Sequence, residues 1–423
     1  MFKLTTLLLI SVLFVGCSQK SINYNTSAQL KAFEKEDEYI LYALDSTLRD
    51  DLNASIGWYD ILYEKSGKNE YLYNKLQLEL LTKRFDDVIS QTSKLLKIEP
   101  NHYELRRYQI SAYLKKGEIE KAKELSLALV KKTEEERDFL LIADIYIAQQ
   151  NYKMGFKYLT RAYTINYDEK ILDKLSILMY VNLGMKAEAI SQLESHALMR
   201  GCSVTTCKRL LSYYGENNNI DAMLRVANKL YDVQADKNVA KIVIDIYRYK
   251  KDSLNLEKFL EKSKSNNDML MQLYASSKKY NKAKDIALKL YDETSSLDYL
   301  AKASIFAYEA KPNSSTLHNF VIKNLKYVIS YDPKALYLNY LGYIMIEHDI
   351  EVKNGIKYVK EALKKSPDSP YYLDSLAWGY YKIKSCDKAY RIIKKVDKML
   401  PSKENEDVKI HLKKIKECLN KDI

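Results

Sequence analysis

Glycine and proline are scarce in this chain: 11 Gly and 6 Pro in 423 residues. All-β sandwiches and doubly wound α/β folds need turn residues every ten positions or so, and dinucleotide or phosphate loops need clustered glycines. Arginine is also thin, 11 of the 68 basic residues, although the formal net charge is +12. Phosphate-binding surfaces lean on the guanidinium fork, and a Lys, Asn, Ile and Tyr excess is what an AT-rich coding sequence produces. The charge is therefore read as compositional, and no nucleic-acid partner is expected. With 47% hydrophobic and 29% charged residues, the chain is neither disordered nor a multispan membrane protein. What remains is a long, all-α protein.

The N-terminus reads as an address. Met1-Phe2-Lys3 is followed by an apolar run, Leu4 to Val15, too short to span a bilayer. It closes on Leu13-Phe14-Val15-Gly16-Cys17, which resembles the lipobox of bacterial lipoproteins, with Phe14 departing from the usual Leu three before the cysteine. That resemblance implies removal of 1–16, diacylglycerol on the Cys17 thiol and a further acyl chain, palmitate in type, on its amine. Several chains give firm anchoring. Ser18 after the cysteine implies the outer membrane, facing the periplasm, since Asp there would retain the protein in the inner membrane. Ser18 to Ser27 is a polar tether reaching about 35 Å at most. The segment 17–35 as a whole is assigned to the lipidated cysteine and tether.

A fixed period organises the rest. A small or apolar residue opening a second helix falls at Ala54, Val88, Ala122, Gly155, Ala189, Met223, Leu256, Ala283, Val321, Gly355 and Ala389, at an average interval of about 33.5. Tyr113, Tyr146, Tyr180, Tyr214, Tyr247, Tyr274 and Tyr380 stand nine residues before a marker; Pro100, Pro333, Pro367 and Pro401 stand twelve after. Gly117 and Gly184 fall in the turns, Leu341-Gly342 is a first-helix pair, and 210–232 aligns with 270–292 without a gap. In these features the chain resembles the tetratricopeptide-repeat (TPR) family over nearly its whole mature length. The resemblance implies a right-handed α–α superhelix of about eleven helix-turn-helix repeats over 36–401. Each repeat exposes an apolar flank that only its neighbour covers. Asn405 to Leu419 then reads as a capping helix within a segment 402–423. The pattern weakens at Leu256, at the short interval before Ala283, which implies a truncated first helix in repeat 8, and at an insertion, Lys311 to Ser315, in repeat 9. These are read as drift rather than hinges. Trp58 is expected in the core.

Chemistry-bearing residues are few. Setting Cys17 aside, Cys202, Cys207, Cys386 and Cys418 are an even number in an oxidising compartment. In this fold the end of one first helix approaches the preceding turn, which makes a Cys386–Cys418 bridge reasonable. Cys202 and Cys207 could close a local loop; free thiols are the alternative for both pairs. His102, His196, His318, His348 and His411 are scattered, and neither His196 nor His411 has zinc-ligand spacing to a cysteine. No GxSxG, Walker, zincin or paired-carboxylate pattern appears, so no enzyme, metal, cofactor or small-molecule substrate is expected. The family binds peptides or proteins along a concave face of first helices. By register that face includes Arg107, Asp144, Lys241, Asp245, Arg248, Tyr343, Asp374, Trp378 and Tyr381; each could equally be a solvated position, and Trp378 could pack on the cap. The chain thus resembles TPR lipoproteins of the bacterial envelope. It is expected to be a lipid-anchored scaffold of an assembly or export complex, or a polysaccharide-export or glycan-binding factor. Outside the cytoplasm its positive charge suggests an acidic partner, an anionic membrane or cell-wall surface, or codon bias alone.

Overall fold

The structure is a computed structural model that describes residues 31–400 and 405–421. The signal segment, Cys17, most of the tether and Pro401 lie outside these residues. The described residues contain helices and turns and no strand. None of their helices is long and apolar enough to cross a membrane.

Two compact units divide the chain, Met1–Ser195 and His196–Ile423. In the first, helices pair as α1 (Glu36–Leu48) with α2 (Leu52–Ser66), α3 (Asn69–Leu81) with α4 (Phe85–Ile98), α5 (Tyr103–Lys116) with α6 (Ile119–Thr133), and α7 (Glu136–Ala148) with α8 (Tyr152–Asn166). Then α9 (Glu169–Ile177), continued by a π-helical turn Leu178–Asn182, precedes α10 (Lys186–Arg200), on which the division falls. In the second unit the pairs are α11 (Val204–Glu216) with α12 (Ile220–Val233), α13 (Lys237–Tyr249) with α14 (Ser253–Ser263), and α15 (Asn267–Ser276) with α16 (Tyr280–Thr294). They continue as α17 (Leu297–Ala310) with α18 (Ser315–Tyr331), α19 (Ala335–Glu347) with α20 (Val352–Lys365), and α21 (Pro370–Lys382) with α22 (Cys386–Met399), and close on the single helix α23 (Glu406–Lys421). Among the described residues, eleven helix-turn-helix pairs and a last helix make this a TPR-like, all-α repeat fold.

The turn within each pair, except that between α17 and α18, is built the same way. A residue near its end adopts the left-handed conformation, where glycine has no Cβ penalty. Gly117 and Gly184 do so at φ +90° and +69°, but Asp50, Lys83, Gln150, Asn218, Lys251, Lys278, Asp349 and Lys384 take the same role. A short polar side chain often follows and caps the second helix. Asp51 accepts from the Ala54 amide at 3.0 Å, Asn219 from Ala222 at 3.1 Å and Asp252 from Asn255 at 3.1 Å.

The second helix then buries its small residue against the first. Val88, Ala122, Ala189, Ala283, Val321 and Ala389 are wholly buried, as the period requires. Two markers correct by one position: the buried residue is Ser55 rather than Ala54 in repeat 1, and Ala222 rather than Met223 in repeat 6. Trp58 corrects with them. It is half-buried, packing on Tyr39 and Tyr42 of α1 at 5.4 and 4.9 Å, and Tyr59 is the inward residue. The short interval before Ala283 is shared between α14, with 11 residues, and α15, with 10, rather than falling on one helix. Part of the repeat 9 insertion is absorbed as helix, so α18 reaches 17 residues. Tyr308 at the end of α17 is buried like the tyrosines that end other first helices, displaced in number by that insertion.

Candidate functional site: the first-helix face

Some first helices pack directly on the next first helix of the same unit: α3 on α5, α5 on α7 and α19 on α21. Among the described residues no second helix packs comparably on the next second helix. First helices therefore line the tighter inner side and second helices the outer one. Tyrosines rivet the inner side. Tyr71 donates to Glu36 at 2.6 Å, Tyr299 to Asp268 at 3.2 Å, Tyr340 to Glu309 at 3.4 Å, and Tyr337 to Asp298, each partner lying one repeat earlier. Burial and the adjoining carboxylate both push the Tyr71, Tyr337 and Tyr340 phenols above their ordinary range. At Asp298, burial opposes ionisation, but hydrogen bonds from Lys334, Tyr337 and Lys302 win and hold the carboxyl well below its usual range.

The positions picked from register separate into three kinds. Arg107 is a correction: it is only 8% exposed. Its Nε and Nη2 donate to Asp138 of α7 at 2.6 and 2.7 Å, and Glu104 and Glu135 lie 3.0 Å from its other edge. Burial disfavours this charge, yet the Asp138 carboxylate raises the guanidinium further still. It is a clamp between repeats 3 and 4, not a ligand contact. Asp144 is half-exposed and paired to Lys174 of α9.

Repeat 11 corrects in another way. Trp378 is buried, stacked between Tyr381 at 4.6 Å and His411 of α23 at 4.1 Å, and its Nε1 donates to Glu347 at 2.5 Å. His411 Nδ1 lies 3.0 Å from both Asp374 oxygens. Asp374 and Trp378 are thus covered by the chain's own last helix, and Tyr381 is half-buried against Trp378. Cys386 and Cys418 are joined across this junction with Cα atoms 5.7 Å apart, and Cys202 is joined to Cys207 at 5.4 Å. Tyr343 is half-buried, its phenol raised by burial and by neighbouring Tyr308 and Glu347.

Lys241, Asp245 and Arg248 remain open. They lie four and three residues apart on α13, so they share one face, and all three are exposed. The Asp245–Arg248 pair, at 3.9 Å, is loose. Beside them the short α14 and α15 leave a cleft of about 490 Å³, whose walls include Tyr247, Arg248, Lys251, Met269, Gln272 and Leu273. Half-buried Met269 and Leu273 give it an apolar wall, and Arg248 and Lys251 a basic rim. Such a site accepts an apolar side chain next to a carboxylate. Only the truncated interval hinted at it in the sequence.

The histidines hold a further surprise. His318 and His348, thirty residues apart, stack at 3.7 Å, with Tyr308 bonded to His348 at 3.2 Å and His318 Nε2 at 2.6 Å from the Pro312 carbonyl. Burial and the adjacent His318 depress the His348 pKa. The pair anchors the inserted loop; among the described residues no three His, Cys, Asp or Glu side chains gather as a metal would require.

No family model matches the chain. No curated protein matches it either. Among solved structures, the APC/C hetero-tetramer Cut9–Hcn1 is similar at a TM-score of 0.41 and 10% identity, over 91% of this chain and 97% of that one. Yeast Tom70 is similar at 0.34 and 11%, over 92% and 97%. A structure of Naa15/Naa10 bound to HypK-THB is similar at 0.34 and 11%, over 78% of this chain, which spans 63% of that one. The repeat fold accordingly rests on the helix pairs themselves.

Proposed function

We propose that this chain is a protein-interaction scaffold of the bacterial cell envelope, lipidated at Cys17 and held at the periplasmic face of the outer membrane. Its first-helix face takes a protein or peptide partner in the service of an assembly or export complex. The cleft beside Lys241, Asp245 and Arg248 carries the reading: an open apolar wall with a basic rim. An apolar anchor beside a paired charge is the arrangement that dominates peptide and protein recognition. The lipobox at Leu13 to Cys17 supports the anchor.

The test is in-cell crosslinking with mass spectrometry, on the natural chain and on a Lys241→Glu/Asp245→Lys/Arg248→Glu chain. One partner should be lost from the triple variant while its helical circular dichroism stays unchanged. An identical crosslink pattern would sink the groove. Cys17→Ala should move the protein from the detergent phase to the soluble fraction.

A further inference from the structure

The positive charge of the second unit is not spread evenly. The second helices α18, α20 and α22 together carry twelve Lys and Arg against three Asp and Glu. The first helices that alternate with them, α17, α19 and α21, carry two Lys against four Asp and Glu. The two sides of repeats 9 to 11 therefore have opposite sign.

The outer charge is also in register. Counted from the buried residues Val321, Gly355 and Ala389, the position two further on is Lys323, Lys357 and Arg391. Five further on it is Lys326, Lys360 and Lys394; nine further on it is Ser330, Lys364 and Lys398. At about 100° per residue these three positions point within about 40° of directly away from the buried residue. Seven of the eight cations are exposed and Lys326 is half-buried. Among the described residues Lys326 pairs with Glu351 at 3.9 Å. Lys360 and Lys394 also lie over the rings of Tyr380 and Tyr390. The same positions in repeat 8 are Asp285, Leu288 and Asp292, so composition alone does not produce the columns.

We propose that this lattice docks the outer face of repeats 9 to 11 on an anionic phospholipid bilayer. Seven of its eight cations are lysines, compact point charges without the fork that reads phosphates bidentately. They spread in two dimensions over adjacent helices rather than along a track, which suits a charged sheet better than a nucleic-acid strand. Along the edge of the lattice on α18, Phe320, Tyr327 and Tyr331 are 44%, 48% and 70% exposed. Amphipathic rings of this kind settle at headgroup depth. The proposal extends the envelope reading above but does not need the Cys17 lipid.

The test uses the full chain with Cys17→Ala, so that no acyl group contributes, sedimented with phosphatidylcholine vesicles with and without about 30 mol% phosphatidylglycerol. Binding should require phosphatidylglycerol and fall away at about 0.5 M salt, where screening lengths shrink to a few ångströms. A lysine near an anionic surface contributes about fivefold, so Lys357→Gln/Lys360→Gln/Lys364→Gln/Lys394→Gln should weaken binding by roughly several hundredfold. Neutralising Lys153, Lys157 and Arg161 of α8 instead should change it little. Equal binding to neutral vesicles, or a lattice variant that binds like its parent, would overturn the proposal. So would tighter binding of polyglutamate or duplex DNA than of the vesicles, which would assign the face to an acidic protein or a nucleic acid. The mass of the acyl group on natural Cys17 decides the anchor separately.

Discussion

Gly342 and Gly355 face each other where α19 crosses α20, and the substitution Gly342→Ala measures that closeness. A Cβ at 342 would stand 2.6 Å from Val359 Cγ2, 2.7 Å from the Gly355 carbonyl oxygen and 3.1 Å from the Val359 amide nitrogen. Two of these three atoms are backbone and cannot rotate away. Restoring ordinary contact requires the helices to part by roughly 0.7 Å, which strips packing from Leu341, Met345 and Val359, all wholly buried. Overpacking of this kind costs about 2–4 kcal/mol when backbone must move, and alanine in a helix interior returns about 1 kcal/mol relative to glycine. The net expectation is a loss of about 1–3 kcal/mol. Gly57 in α2 is the control, because a Cβ there meets nothing within 4 Å. Gly57→Ala should be stabilising by about 0.5–1 kcal/mol through propensity alone. Because repeats open semi-independently, the readout is hydrogen exchange of peptides from each helix pair rather than one global midpoint. Protection of α19 and α20 should drop about five- to hundredfold in Gly342→Ala. Unchanged protection there would refute the reasoning.

Two further outcomes follow from the ion pairs. Arg107→Ala should cost about 3–5 kcal/mol in denaturant unfolding, since it strands buried Asp138, whereas Asp144→Ala on its half-exposed pair should cost under about 1 kcal/mol; equal effects would contradict the burial difference. Glu36 accepts hydrogen bonds from Lys68 at 2.5 Å, Tyr71 at 2.6 Å and the Ala32 amide at 2.7 Å. Burial works against its charge, but these donors lower its pKa from 4.5 to about 2. The folded state thus favours the ionised form; its contribution is complete above the unfolded value and is lost as pH falls from about 4.5 through 2. Trp58 emission, which reports α1 through Tyr39 and Tyr42, should change over that window in a Trp378→Phe background, and Glu36→Gln should flatten the change.

The repeat was legible because its signals are local. Small residues recur where two helices must touch, and prolines recur just past helix ends, as Pro333 after α18 and Pro367 after α20. The turns were legible only at Gly117 and Gly184. In eight others a lysine, aspartate, asparagine or glutamine takes the left-handed conformation, which costs about 1–2 kcal/mol, and the surrounding helix packing holds it there. The slips at Ala54 and Met223 have the same origin. In each, two adjacent residues are small or apolar enough to be the buried one, and only packing chooses between them.

Period and composition by themselves determined the all-α class, the number of helix pairs and, outside repeats 1 and 6, the residue at each crossing, because a helix pair's inner face is written in residues three and four apart. Which charges are free was decided by the tertiary structure. Arg107 and Lys241 occupy related first-helix positions, yet one is sealed by a carboxylate from the next repeat and the other is open, since each partner comes from about thirty residues away. Trp378 likewise reads as a groove aromatic until α23 lies over it. The scarcity of glycine and proline predicts stacked helices, and the stacking decides which side chains are left for a partner.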